Sequence, residues 1–278
     1  TIDKCHLFAE AGLPFVVCPG TNGWRSHGSR LPWAIDNVSS FVAAGRKHGA
    51  VGMLHTDWGD GGHRNMLGLS MLSFAHAAAH AWNGRAVQDS RFPRTFARVH
   101  FRQTNHRLAD AIEKLGSISD VIGTENGFYF CLRESIHTPI RKKMSRVFQG
   151  GQPKGNNFRS FDPDRVAEAV ELAESLEAAS AWPKAPRGIE PFDRLTLDEY
   201  RLAAMQDAVN GRRVQFAAAH LADEPVTARQ WRQLDGQLKQ LGVRFDALWL
   251  ARNRPSRLAE NQYLLAHARR ECQHLAGR

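Results

Sequence analysis

Cysteine is scarce in this chain. Cys5, Cys18, Cys131 and Cys272 are the only four in 278 residues, with no CxxC pair and no Cys/His spacing of the zinc-finger kind. They read as free thiols, which favours a reducing compartment such as the cytoplasm. Long apolar runs are missing as well: no stretch approaches the roughly 18 consecutive apolar residues that suggest a membrane span, so no membrane partner is expected. The opening TIDKCHLFAEAG has neither a basic n-region nor a long apolar h-region and is not a signal peptide. Residue 1 is Thr, and the first dozen residues read as the tail of an amphipathic helix stopped by Gly12, so the chain is expected to begin inside a domain. There is no internal repeat.

Acids are the minority charge. Lys and Arg number 37 against 28 Asp and Glu, a formal charge of +9 with a pI near 9.8. Such an excess raises the possibility of a polyanion partner. It is spread thinly, however: residues 1–88 carry seven bases against five acids and the remainder 30 against 23. The one dense basic run, RKKMSR at 141–146, lacks interleaved aromatics and belongs to no nucleic-acid motif. A solvated helix face is the simpler reading, and no nucleic-acid partner is expected.

What is present begins with alternation. The length allows one large domain or two smaller ones. PFVVCPG (14–20) is a short apolar run ended by turn residues, AIDNVSSFVAAGRKHG (34–49) is a helix closed by Gly49, and AVGMLHT (50–56) is a second strand. Together they make a βαβ unit. A short helical piece follows around Met66 to Phe74, then AHAAAHAW (75–82), read as a third strand although alanine favours helix. From about residue 89 the pattern turns helical. Asp162-Pro163-Asp164 is a helix start with an acid at the N-cap and Pro at the first position. Thr196 to Glu199 has the capping-box pattern and opens a helix toward Leu221 with an interruption near Asn210-Gly211. FQGGQPKGNNFRSFDP (148–163) is a loop.

The segment GMLHTDWGDGGHRN (52–65) carries the chemistry. An apolar run ends abruptly in polar residues, as where a buried strand delivers side chains to a site. A carboxylate at Asp57 accepts paired hydroxyls, and the indole of Trp58 offers a flat apolar face and one N–H, a pairing suited to sugars.

VVCPGTNGWRSHGSR, the helix after it, GMLHTDWGDGGHRN and FAHAAAHAWNG together resemble the second half of the catalytic barrel of glycoside hydrolase family 20 β-N-acetylhexosaminidases, and FDALWLARNRPSRLAEN (245–261) resembles the helical tail of its bacterial branch. The resemblance implies an α/β fold: residues 1–100 as the C-terminal portion of a TIM (β/α)8 barrel, strands six to eight, and residues 101–278 as a mainly α-helical region. It implies a retaining, substrate-assisted exo-glycosidase acting on N-acetylhexosamine-containing glycans, with the missing N-terminal half of the barrel as a further partner. In that chemistry a Glu is the general acid and a neighbouring Asp orients the substrate's acetamido group, the attacking nucleophile. No catalytic residue is assigned within this chain, the Asp-Glu pair being expected upstream, and the isolated chain is expected to be inactive. No metal or organic cofactor is implied. The substrate-binding residues carried over are Trp24, Asp57 and Trp82, with His55 and Asn83 near positions where relatives have a tyrosine and a glutamate; Trp58 is added as Asp57's neighbour.

Each has a plainer reading: Trp24 as an edge cover, Asp57 as a turn cap, Trp58 as barrel packing. Asp60 and His63 suit loop stabilisation as well as substrate contact. His76 and His80, four apart, match a helical metal pair, but HAAAH has no internal Glu and no obvious third ligand, so packing is favoured. Asp198-Glu199 reads as acids in a first helical turn, and Arg252 and Arg254 as caps or salt-bridge partners. A non-catalytic carbohydrate-binding or structural relative stays open as the alternative, and a polyanion binder behind it.

Overall fold

The computed structural model describes residues 4–59, 64–136, 158–178, 182 and 189–277. A short helix α1 (Cys5–Glu10) leads to Gly12, whose φ of +67° ends the turn. Strand β1 (Val16–Val17) pairs in parallel with β2 (Gly52–Met53), Val16 opposite Gly52 and Val17 opposite Met53, and a bridge between Gly20 and Thr56 prolongs the contact. Helix α2 (Leu31–Lys47) makes the crossover. Its buried residues Leu31, Ala34, Val38 and Val42 recur at helical spacing, and Val17 fills the space beside Gly45. The βαβ unit expected from the sequence is therefore present.

The barrel is not. Residues 75–82, expected as a third strand, lie inside helix α3 (Met71–Asn83). The run from Ala75 to Ala81 contains five alanines, the strongest helix former, and no β-branched residue, so local propensity and the buried stripe of Leu72, His76, Ala77 and His80 agree on a helix. The two-residue strands form the only sheet among the described residues. The protein is mainly helical and is not a portion of a TIM barrel.

Helices α4 (Phe92–His100) and α5 (Arg107–Ile122) pack beside the βαβ unit, followed by α6 (Pro163–Glu177), α7 (Pro191–Leu221), α8 (Ala228–Arg252) and α9 (Leu258–Ala276). Asp162 caps α6 as expected, its carboxylate accepting from the amides of Asp164 and Arg165. The expected start at Thr196 is corrected: α7 begins at Pro191, and buried Thr196 donates its hydroxyl to the Phe192 carbonyl. Nor is α7 interrupted at Asn210-Gly211. Gly211 meets Phe128 and Val170 so closely that a Cβ would lie 2.5 Å from Val170 Cγ2. Tight packing there outweighs the roughly 1 kcal/mol helix penalty of glycine.

Helix α8 starts with a complete capping box, Thr227 with Gln230. It lays Trp231, Leu234, Leu238, Leu241, Phe245 and Trp249 into the core against Leu264, Leu265, Ala268 and Cys272 of α9. All four cysteines are free. No helix among the described residues is long and apolar enough to cross a membrane. RKKMSR and residues 148–157 of the expected loop lie outside the described residues, as do Asp60 and His63.

Candidate functional site

The parallel strands end side by side, and the segments leaving them build the site. In open α/β arrangements ligands bind beyond the carboxyl ends of the strands. From β1 come Gly20, Thr21 and, after a loop with left-handed Asn22, Trp24; from β2 come His55, Thr56, Asp57 and Trp58.

Asp57 is held on one oxygen. Thr21 donates its hydroxyl to Asp57 Oδ1 at 2.5 Å, and Ser70 donates to the same atom at 3.0 Å. Gly23 N–H in turn donates to Thr21 Oγ1 at 3.3 Å, fixing the hydroxyl. Oδ2 has no partner among the described residues, and Asp57 is only half-buried. The carboxylate is thus oriented through Oδ1 and keeps Oδ2 for hydroxyls of a ligand. His55 is anchored similarly, with Nε2 3.1 Å from Ser73 Oγ and its ring edge-on to Phe74. Burial lowers the His55 pKa despite the Pro19 backbone and the Asp57 charge, so the ring is neutral near pH 7. Ser70, at the cap of α3, and Ser73, in its first turn, brace Asp57 and His55 in the segment leaving β2.

The tryptophans divide. Trp24 packs over Gly20, and the Arg30 guanidinium lies 4.9 Å from its ring centroid, anchored by Glu125 at 2.9 Å. Trp58 is 58 % exposed, held by an Nε1–H bond to Thr56 Oγ1, and presents its indole to solvent beside Asp57. Trp82 and Asn83, at the far end of α3, line a different cavity of about 810 Å³ with Arg91, Arg94 and Arg98. Trp82 is 92 % exposed. The structure brings Trp24, His55, Asp57 and Trp58 together and leaves Trp82 and Asn83 apart from them.

The other sequence candidates resolve as follows. Glu199 is wholly buried, nine residues into the chain of α7 counted from its cap rather than in a first turn. Its Oε2 accepts the Gly68 N–H at 2.7 Å, and Arg252 Nε stands 2.9 Å from Oε1. Burial pushes its pKa up to about 7 against the pull of Arg252 and Gly68. Asp198 instead pairs with Arg201 at 2.7 Å. Glu199 thus ties α7 to α8 and to the segment before α3, while Asp198 pairs within α7. Arg252 is a salt-bridge partner, and exposed Arg254 accepts Trp249 Nε1–H on its carbonyl.

His76 and His80 are buried, as packing requires, but the structure adds a third group that the sequence reading missed. Asp89 Oδ1 lies 2.8 Å from both Nε2 atoms, and the ligand atoms of all three residues sit within 4.8 Å of one another. Burial acts to raise the Asp89 pKa, yet hydrogen bonds from His80 and His76 outweigh it and hold the carboxyl below its ordinary value. The only signal in the sequence was an acid nine residues past His80, beyond a Gly84 turn. Thr21 and Ser70 were missed for a related reason: hydroxyl braces have no spacing signature. No protein family and no curated protein matches this chain.

Proposed function

We propose that this chain supplies the sugar-recognition part of a retaining, substrate-assisted exo-β-N-acetylhexosaminidase, with the Asp-Glu catalytic pair contributed from outside the chain. The observation that carries the reading is Asp57: a half-buried carboxylate at the end of a parallel strand, braced by two hydroxyls on Oδ1 and free on Oδ2, beside the exposed indole of Trp58. That arrangement suits a pyranose, with the carboxylate taking ring hydroxyls and the indole meeting the C–H face. The motif resemblance supplies N-acetylhexosamine as the sugar. Neutral His55 adds a further polar edge. A non-catalytic carbohydrate binder is the second reading, favoured by the purely structural role of Glu199.

The test is titration of the chain with N-acetylglucosamine oligosaccharides, followed by NMR, alongside a chromogenic N-acetylglucosaminide assay. Binding without turnover is expected. Asp57→Asn removes a charged acceptor, typically about 1.5–3 kcal/mol, and is expected to weaken binding about tenfold or more. Absence of binding by the parent chain overturns sugar recognition. Turnover by the chain alone overturns the external placement of the catalytic pair. Salt-dependent binding of generic DNA in place of sugar supports the polyanion alternative.

A further inference from the structure

The junction of α3 with the turn before α4 holds a donor set unrelated to the sugar reading. His76 and His80 stand one helical turn apart and project from the same face, their ring centroids 4.5 Å apart. The chain leaves α3, turns at 84–86 and returns at Asp89, so that its carboxylate closes over both imidazoles. Both Nε2 atoms are 2.8 Å from the same oxygen. Phe92 seals the far side, edge-on to His76 at 4.8 Å. The imidazoles are buried, while the Asp89 side chain is 38 % exposed.

We propose that His76, His80 and Asp89 bind a divalent transition-metal ion, with two imidazole nitrogens and one carboxylate oxygen as ligands and the remaining position open on the solvent side of Asp89. The chemistry of the donors selects the class of ion. Two imidazole nitrogens and one carboxylate oxygen suit zinc and its neighbours, whereas magnesium and calcium demand oxygen ligands. The geometry is near what is needed. Metal–ligand bonds of about 2.0–2.1 Å at tetrahedral angles put the donors roughly 3.3 Å apart, so Asp89 has to withdraw by about half an ångström from each ring, and the two imidazole nitrogens, which lie within 4.8 Å of each other, have to settle near that same spacing by rotation of their side chains. A pair at i and i+4 on a rigid helix fixes two ligands before the ion arrives, and the third comes from a turn held down by the same contact. Three protein ligands with one open place is the pattern of sites that retain an exchangeable water. Bound metal therefore pins residues 84–91 to α3, next to the cavity that Trp82 and Arg91 line.

The experiment is calorimetric titration of chelator-treated protein with zinc, repeated with cobalt(II) and read by its visible absorption, on the parent chain and on Asp89→Asn, His80→Ala and Cys18→Ser. One saturable site with a three-nitrogen/oxygen-donor cobalt spectrum and no sulfur charge-transfer band is expected in the parent and in C18S, which removes the exposed thiol. D89N and H80A are expected to lose at least a hundredfold in affinity. D89N alters a side chain accessible to solvent, so it reports even where H80A fails to fold; circular dichroism checks each variant. Equal binding by the parent and D89N, a sulfur-ligated spectrum, or no saturable site overturns the proposal and leaves a hydrogen-bonded His-Asp-His cluster. Sugar titration of D89N separates the two readings, because Asp57 does not depend on this cluster.

Discussion

Glu199 is the carboxylate whose chemistry burial alters enough to matter near neutral pH. Gly68 approaches it so closely that a Cβ there would lie 2.1 Å from Glu199 Oε2, which is why no larger residue fits at 68. With the folded pKa raised from 4.5 to about 7, the native state holds its proton where the unfolded chain has lost it. Linkage then makes this contribution to stability full below pH 4.5 and lost as the pH rises through 7. One pKa unit corresponds to about 1.4 kcal/mol. Glu199→Gln cannot titrate, so urea midpoints at pH 5 and pH 8 are expected to differ less in this variant than in the parent; an unchanged difference refutes the assignment. Removing the acceptor altogether is harsher. Glu199→Ala leaves Arg252 and the Gly68 N–H without their partner and is expected to cost about 3–5 kcal/mol. Asp57 and Asp89 share one lesson: in each, the chain spends a single oxygen on its own groups.

Among the elements, α7 shows how packing overrules local signals. Thr196 followed by Glu199 has the form of a capping box, yet Glu190 and Pro191 begin the helix earlier and Thr196 turns inward. Gly211 has the form of a break and is a contact point. Gly211→Ala gains helix propensity but drives a methyl into Val170 and Phe128, so a net loss of about 1–3 kcal/mol is expected by chemical denaturation; a stabilised variant contradicts the close approach. The elements legible in the sequence were those with both a pattern and a stop: the βαβ unit with Gly49 behind its helix, and α6 behind Asp162-Pro163. The element misread was 75–82, where a resemblance was set against alanine's preference and the preference won. The site was legible as far as Trp24, His55, Asp57 and Trp58, residues that lie in two short segments just past the strands. Thr21, Ser70 and Asp89 join through folding over many residues, and no spacing rule reaches them.

At the scale of the molecule, the two strands leave apolar surface uncovered. Phe8, Leu13, Val16, Val51 and Leu54 are exposed around a two-stranded sheet whose edges are unpaired among the described residues. Such edges pair with a second copy unless charged or covered. Concentration-dependent association is expected in sedimentation, and Val51→Lys with Leu54→Lys is expected to suppress it; a monomer at all concentrations refutes this. The interior is unusual in the opposite sense, since Arg30, Arg64 and Arg213 are fully buried. Arg213 is matched by Glu271 at 2.6 Å, and Arg64 donates to the Tyr129 backbone carbonyl while its guanidinium lies over the Tyr129 ring.

Six of the seven tryptophans fall into two populations, with half-buried Trp24 between them, and this makes the chain its own fluorophore. Trp182, Trp231 and Trp249 are shut inside the helical body, while Trp33, Trp58 and Trp82 face water. A quencher added to the native protein silences the second group first, so the emission left behind is blue-shifted and comes from the core. A ligand seated on Trp58 would shield one indole of the quenchable class, and unfolding would transfer three from the protected class to the other. Binding and denaturation therefore move the same signal in opposite directions, without a label.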